Sequence, residues 1–283
     1  MNTVDFKRNL SADANRQPSP AIWADCPVKD LIENPGLGTY FFDDFQDFPL
    51  DGTQTTQIGH GKYKVFNTGG GKVSRISAVN SVELAGGALR IQVDTDNDSG
   101  SIAQSFPSYF MSGVKSTGPK IWFECCVAQS AIPTNNIGWM VGLAEVELWT
   151  LATGVPFNGG DAITNGAAFI GFRAEEDGLG VVDTVYSDRA TSFTNIGDTE
   201  AGTMVANTFR KFGFVYDPDK TTNCVTFFAN NLELTTKYSK TDLVALTNLD
   251  ANMLGIIAAV VSDSAGTTTD WWMKWWRVAQ LLP

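Results

Sequence analysis

The residues whose types suit chemistry are few and scattered. Glu145 and Glu147, in AEVELW, share one face of an extended run. Two carboxylates about 5 to 5.5 Å apart would serve a retaining glycosidase, one as nucleophile and one as acid. No Asp lies between these two, so the pair reads as a solvated strand face or a charge-protected edge. Glu175, Glu176 and Asp177 precede Gly178 and read as a turn. Asp94, Asp96 and Asp98 (DTDND) alternate as if to wrap a hard cation. However, Ser99 stands where a calcium loop needs Gly, and Ser105 stands where it needs Glu, so a polar inter-strand turn is expected. His60 is the only histidine. Any Ser-His-Asp or Cys-His system would have to be built on it, and its Gly-flanked setting, TQIGHGKY, reads as a solvated loop. Gly69 to Gly71 lack the strand-to-helix context of a phosphate-binding loop. No catalytic residue, metal or cofactor is expected.

The four cysteines are Cys26, Cys125, Cys126 and Cys224. Adjacent Cys125 and Cys126 point to opposite faces of a strand, which disfavours a disulfide framework, and they lack the C-x-x-C spacing of a zinc or redox site. Buried thiols in a reducing cytoplasm are expected. The eight Trp suit sandwich core or subunit interface more than sugar platforms.

These residues must be carried by short strands. The chain has 283 residues, 43% of them hydrophobic and only 18% charged, with 27 Gly to supply tight turns. A net charge of −11 argues against nucleic-acid partners, which require clustered cations. No apolar run approaches the length of a membrane span, and Met1 to Leu10 hold no stretch of signal-peptide length. KIWFECCVA (Lys120 to Ala128) has period two, with Ile121, Phe123, Cys125 and Val127 on one face and Trp122, Glu124 and Cys126 on the other. GWMVGL, AAFIGF, GVVDTVY, FRKFGFVY and MLGIIAAVV continue the series of β-rich runs. Asn230-Asn231 reads as a hairpin turn between Val225 to Ala229 and Leu232 to Leu234. A short helix fits Asp242 to Leu249. WWMKWWRV is ambiguous, because its Trp pairs at i and i+4 also fit a helix face.

Residues 1–39 differ from the rest: polar, aperiodic and punctuated by Pro18, Pro20, Pro27 and Pro35. They read as an extended arm with one short helix, Val28 to Glu33, stopped before Pro35. At roughly 3.3 Å per residue such an arm reaches beyond about 100 Å. Ile22, Trp23 and Pro27 are its candidate partner-binding residues, with Trp23 either docking on a neighbour or tucking against its own sandwich.

Three segments together resemble the concanavalin-A-like (laminin-G-like) family of lectins, laminarinase-type glycosidases and tailed-phage proteins. They are FRKFGFVYDPDKTTNCVTFFANNLEL (Phe209 to Leu234), KWWRVAQ (Lys274 to Gln280) and GGALRIQVDTDNDSGSIAQS (Gly86 to Ser105). SPAIWADCP and YFFDDF extend the resemblance toward the phage members. It implies an all-β fold, an antiparallel jelly-roll β-sandwich over residues 40–283 behind the arm of residues 1–39, and a strand for the WW segment. It also implies a non-enzymatic virion structural protein, a capsid decoration (cement) protein assembled in the host bacterial cytoplasm. Its partners would be the major capsid protein and copies of itself in a homo-oligomer such as a trimer. The alternative is a glycan-binding module of a fibre or host-recognition structure, with surface glycans as partners. The Glu-x-Asp-x-x-Glu of the laminarinase branch is missing, and the resemblance is therefore read as not enzymatic.

Overall fold

In the computed structural model the described residues are 17–48, 58–60, 62–68, 71–79, 82–93, 98–104, 109–111, 119–132, 137–145, 167–176, 178–190, 192–197, 200–246, 249, 253–262 and 269–282. Among them, β1 (Gly38–Asp43), β2 (Ile58–His60), β3 (Tyr63–Thr68), β4 (Lys72–Val79), β5 (Val82–Val93) and β6 (Asp98–Gln104) come first. β7 (Ile121–Gln129), β8 (Ile137–Ala144), β9 (Ala168–Ala174), β10 (Val182–Asp188) and β11 (Thr194–Gly197) follow. β12 (Arg210–Tyr216), β13 (Val225–Ala229), β14 (Leu232–Tyr238), β15 (Gly255–Ser262) and β16 (Thr269–Leu281) complete the series. They build two antiparallel sheets, as the resemblance implies. The first runs β14-β13-β12-β7-β16-β5-β4 with β1 also on β16, and the second runs β11-β10-β9-β8-β15-β6-β3-β2.

The core lies between the sheets. β7 sends Ile121, Phe123, Cys125 and Val127 into it, the face expected from period two. From the second sheet come Trp139, Val141 and Leu143 of β8, Ile170 and Phe172 of β9, and Ile256, Ala258 and Val260 of β15. Facing aromatics close the layer: the Phe172 and Phe212 rings lie 5.2 Å apart, and those of Trp139 and Trp271 6.0 Å apart. The outward side of the second sheet is apolar as well, with Met140, Phe169, Ile257 and Val261 in a second buried cluster. That double burial explains why GWMVGL and MLGIIAAVV read as unbroken apolar runs without alternation. No disulfide links the four cysteines, and burial pushes the Cys224 thiol up to about 12.

The WW segment is a strand with a bulge. Met273 pairs with Val127 and Trp275 with Cys126, so Lys274 is passed over in the register. The extra residue shifts the alternation by one. Trp271, Met273, Trp276 and Val278 therefore all face the core, leaving Trp272, Trp275, Arg277 and Ala279 for the outer side. Without it, Trp275 and Arg277 would point inward.

The Asn230-Asn231 turn takes left-handed φ values of 49° and 69°, which Asn tolerates. The helix expected at Asp242 to Leu249 is α3, Lys240–Val244, after α1 (Pro20–Trp23) and α2 (Val28–Glu33) of the N-terminal segment. It begins earlier because Ser239 caps it: the Ser239 hydroxyl accepts from the Asp242 amide, and the Asp242 carboxylate accepts from the Ser239 amide.

The N-terminal segment departs from the extended arm expected of it. From Gln17 onward it lies on the outer face of the first sheet, as α1 (Pro20–Trp23), α2 (Val28–Glu33) and a 3-10 turn at Pro35–Leu37. α2 has the expected bounds. Asn34, ahead of Pro35, is extended at φ −133° and ψ 91°, as the proline ring requires of its predecessor. Residues 1–16 lie outside the described residues.

Candidate functional site

The site grows from the polar side of β7. Glu124 sits at the middle of that strand among apolar neighbours, pointing out of the sandwich, yet it is fully buried because the N-terminal segment covers it. The Ser19 amide donates to both of its carboxylate oxygens at 3.1 Å, and Trp23 Nε1 donates to Oε2 at 2.7 Å. Burial drives the Glu124 carboxyl above its usual range, against the opposing pull of the Ser19 hydrogen bonding and the Arg277 charge. Arg277 is the register partner of Glu124 on β16, and its guanidinium lies 5.1 Å from the Trp23, Phe42 and Trp275 rings. Around this polar centre Ile22, Trp23 and Leu31 pack on Trp122, Val215, Phe228 and Ala279. Gly213 makes the seat: a Cβ there would stand 2.6 Å from Ile22 Cδ1 and 2.4 Å from the Phe123 carbonyl oxygen.

Beside α1 the segment leaves a groove of about 330 Å³, within the range of small-ligand sites. One wall is Ala21, Ile22, Ala24 and Asp25; the other holds Val215, Thr226, Phe228, Asn223, Lys220 and Glu233, with Lys120 at the end. Lys120 Nζ bridges Asp25 Oδ2 at 2.6 Å and Asp217 Oδ2 at 3.0 Å, while Trp122 Nε1 donates to Asp25 Oδ1 at 2.8 Å. Despite the desolvation that raises it, the hydrogen bonds from Lys120 and Trp122 hold the Asp25 carboxyl below its usual range. Despite the burial that lowers it, the two aspartates hold Lys120 above its own. The Ala21 amide donates to Asn231 Oδ1 at 3.0 Å, tying α1 to the β13-β14 hairpin.

The residues singled out from sequence fall elsewhere or take structural roles. Ile22 and Trp23 are 2% and 1% exposed against their own sandwich, and Pro27 is half-buried ahead of α2, so the packing of Trp23 is intramolecular. Glu145 is clamped by Arg189, with Nε at 2.9 Å from Oε2 and the second guanidinium nitrogen on Oε1. Glu175 takes a hydrogen bond from buried Arg173 at 2.5 Å. His60 ends β2 and Asp98 begins β6. The side chains of both, together with Asp94, Asp96, Glu147, Asp177, Gly69 and Gly70, lie outside the described residues. Glu124, Asp25, Lys120, Lys220 and Asn223 were not singled out as site residues. The sequence carried one signal for them, a lone acid inside the apolar run of β7, which demands buried partners.

No family model matches the chain, and no curated protein matches it in sequence. Solved structures do share its fold. A peanut lectin bound to a 9mer peptide superposes with a TM-score of 0.52 at 15% identity, covering 87% of this chain and 99% of the lectin. An endo-1,3-beta-glucanase from Streptomyces sioyaensis superposes with a TM-score of 0.53 at 14% identity, covering 88% of this chain and 98% of the glucanase. Identities this low establish the fold, a lectin- and glucanase-type β-sandwich. They also correct one expectation. The same sandwich serves a glucanase, so the missing Glu-x-Asp-x-x-Glu pattern does not exclude an enzyme. Neither structure is a virion protein, and the phage part of the resemblance finds no counterpart in them.

Proposed function

We propose that this chain is a carbohydrate-binding β-sandwich whose ligand site is the groove between α1 and the β12-β13-β14 edge of the first sheet. The observation that carries the reading is the composition of the groove walls. A sugar ring offers hydroxyls along its rim and apolar C–H faces, and binding it takes both kinds of partner. Phe228, Val215 and Ile22, packed on one another, lend the groove an apolar floor at their edges, while Asp25, Glu233, Asn223 and Lys220 supply acceptors and donors. The likeness to a lectin and a glucanase supports the choice of ligand class.

The test is calorimetric titration with the hexasaccharides of 1,3-β-glucan and 1,4-β-glucan, with reducing ends counted in the same samples so that binding and cleavage are scored together. Binding of one hexasaccharide, weakened about tenfold or more by Asn223→Ala or Lys220→Ala, is the expected result; tenfold is about 1.4 kcal/mol, the scale of one hydrogen bond to a charged group. Absence of binding to both sugars, or binding that neither substitution alters, overturns the proposal.

A further inference from the structure

We propose that Glu124 and Trp23, which do not line the groove, are its positioning residues: docking of the N-terminal segment on Glu124 and occupation of the groove form one coupled equilibrium. This inference rests on the reading of the groove as a glycan site.

The coupling follows from how little structure lies between the two functions. The turn that carries Ala21, Ile22 and Asp25 into the groove wall also presents the Ser19 amide and Trp23 Nε1 to Glu124. α1 is four residues long, too short to hold helical structure without tertiary contacts. Its position is therefore set by what its two sides touch, and a displacement of one side displaces the other. Val215, Thr226 and Phe228 of the opposite wall stand on β12 and β13, which are bonded on both edges within the first sheet. The α1 wall has no strand pairing of its own: side-chain contacts hold it, with Glu124 buried at their centre and the Asp25 and Asn231 contacts at the rim.

Docking of the segment is also opposed. It strips water from Glu124, and the donors from Ser19 and Trp23 offset that cost only while α1 is seated. A sugar held by Asp25 and the α1 wall adds contacts that exist only in the docked state. It must therefore favour docking, and by reciprocity docking must favour the sugar by the same factor.

The experiment follows backbone amide exchange of residues 17–34 in the whole chain, with and without a saturating amount of whichever glucan hexasaccharide binds the wild type. The same titration is run on Trp23→Ala and Glu124→Ala. Slower exchange of residues 17–25 on saturation is expected, with affinity reduced tenfold or more in both variants while the sandwich melt is retained. Saturating hexasaccharide should also restore part of the lost protection in Trp23→Ala, which a purely structural contact would not do. Unchanged wild-type exchange at saturation, or variants that bind as the wild type does, overturns the coupling and leaves the glycan reading intact. Failure of the wild type to bind either hexasaccharide removes the glycan reading and the coupling with it. If the variants do not fold, the wild-type exchange comparison decides alone.

Discussion

Trp23 Nε1 donates a 2.7 Å hydrogen bond to Glu124 Oε2, joining two residues 101 positions apart. The indole buries an apolar body and spends its one donor on an acid that would otherwise be sealed without it. Trp23→Ala removes both terms. A buried Trp→Ala change costs about 3 kcal/mol or more, and here the loss should fall on the segment first. Amide protection across residues 17–34 should collapse while β7, β12 and β16 keep theirs. Uniform loss across the sheet would show instead that the segment and the sandwich unfold as one unit.

The titration of Glu124 sets a pH dependence with a definite sign. Its carboxyl is raised above the ordinary 4.5 by burial, so the docked state binds its proton more tightly than the undocked state does. The stabilisation from that proton is complete below about 4.5 and is lost as pH rises through the docked value. Segment protection, corrected for intrinsic exchange chemistry, should therefore be greater at pH 5 than at pH 7. Glu124→Gln should flatten the profile. A profile falling toward acid in the wild type would mean that Arg277 and Lys211 dominate the site.

At the acid end Asp25 acts in the opposite sense. Its carboxyl lies below the ordinary 3.8, so its contribution is present above that value and is lost as pH falls through the lowered one. Asp25→Asn should cost about 1 kcal/mol of docking at neutral pH and less in acid, the cost shrinking as pH falls through the lowered value. Equal costs at both pH values would assign the effect to packing.

The hairpin turn separates backbone from side chain. Asn231→Ala keeps a Cβ in the left-handed backbone at φ 69° without the side-chain amide that lets Asn tolerate it, and deletes the acceptor for Ala21, an expected loss of about 2 kcal/mol. Asn231→Gly keeps the turn and deletes only the acceptor, about 1 kcal/mol. Chemical denaturation midpoints that do not separate the two variants would show that the left-handed backbone adds nothing to the loss, and an Asn231→Gly midpoint equal to the wild type would show that the Ala21 contact contributes nothing.

The bulge at Lys274 makes the sharpest contrast. Lys274→Ala removes a cation stacked 5.1 Å from the Phe209 ring, worth about 1 kcal/mol. Deletion of Lys274 shifts the phase of everything after it and turns the Arg277 position toward the core. A buried unpaired cation costs several kcal/mol, and the deletion should abolish the cooperative melt. A deletion variant that melts as the wild type would mean that the bulge can migrate along β16.

What the sequence made legible was what is local. Period two in KIWFECCVA placed the right side chains in the core, Pro35 bounded α2, and the Asn pair marked its hairpin. The WW segment resisted because one inserted residue breaks the alternation, turning a step of two into a step of three between Met273 and Trp276. The groove was illegible for a different reason. Asp25, Lys120, Lys220 and Glu233 come from stretches far apart in the chain, and no local pattern says that α1 folds back onto β7. The same blindness made the docked residues 17–37 read as part of an extended arm. Its proline content argued for extension, and the buried acid that holds it lies about a hundred residues downstream.

β16 lies in the interior of its sheet, with β7 along one edge and β5 and β1 sharing the other. Until synthesis has passed residue 281, β1 is without its strand partner, and β5 and β7, paired on one side with β4 and β12, have their other edges open. The β4-β5 pair and the β7-β12-β13-β14 group can form earlier, but the first sheet joins them in one late step around β16. Such a chain folds slowly, through long-range pairing, and is most exposed to aggregation just before that strand arrives. Nascent chains arrested short of Thr269 should be the species that chaperones hold longest.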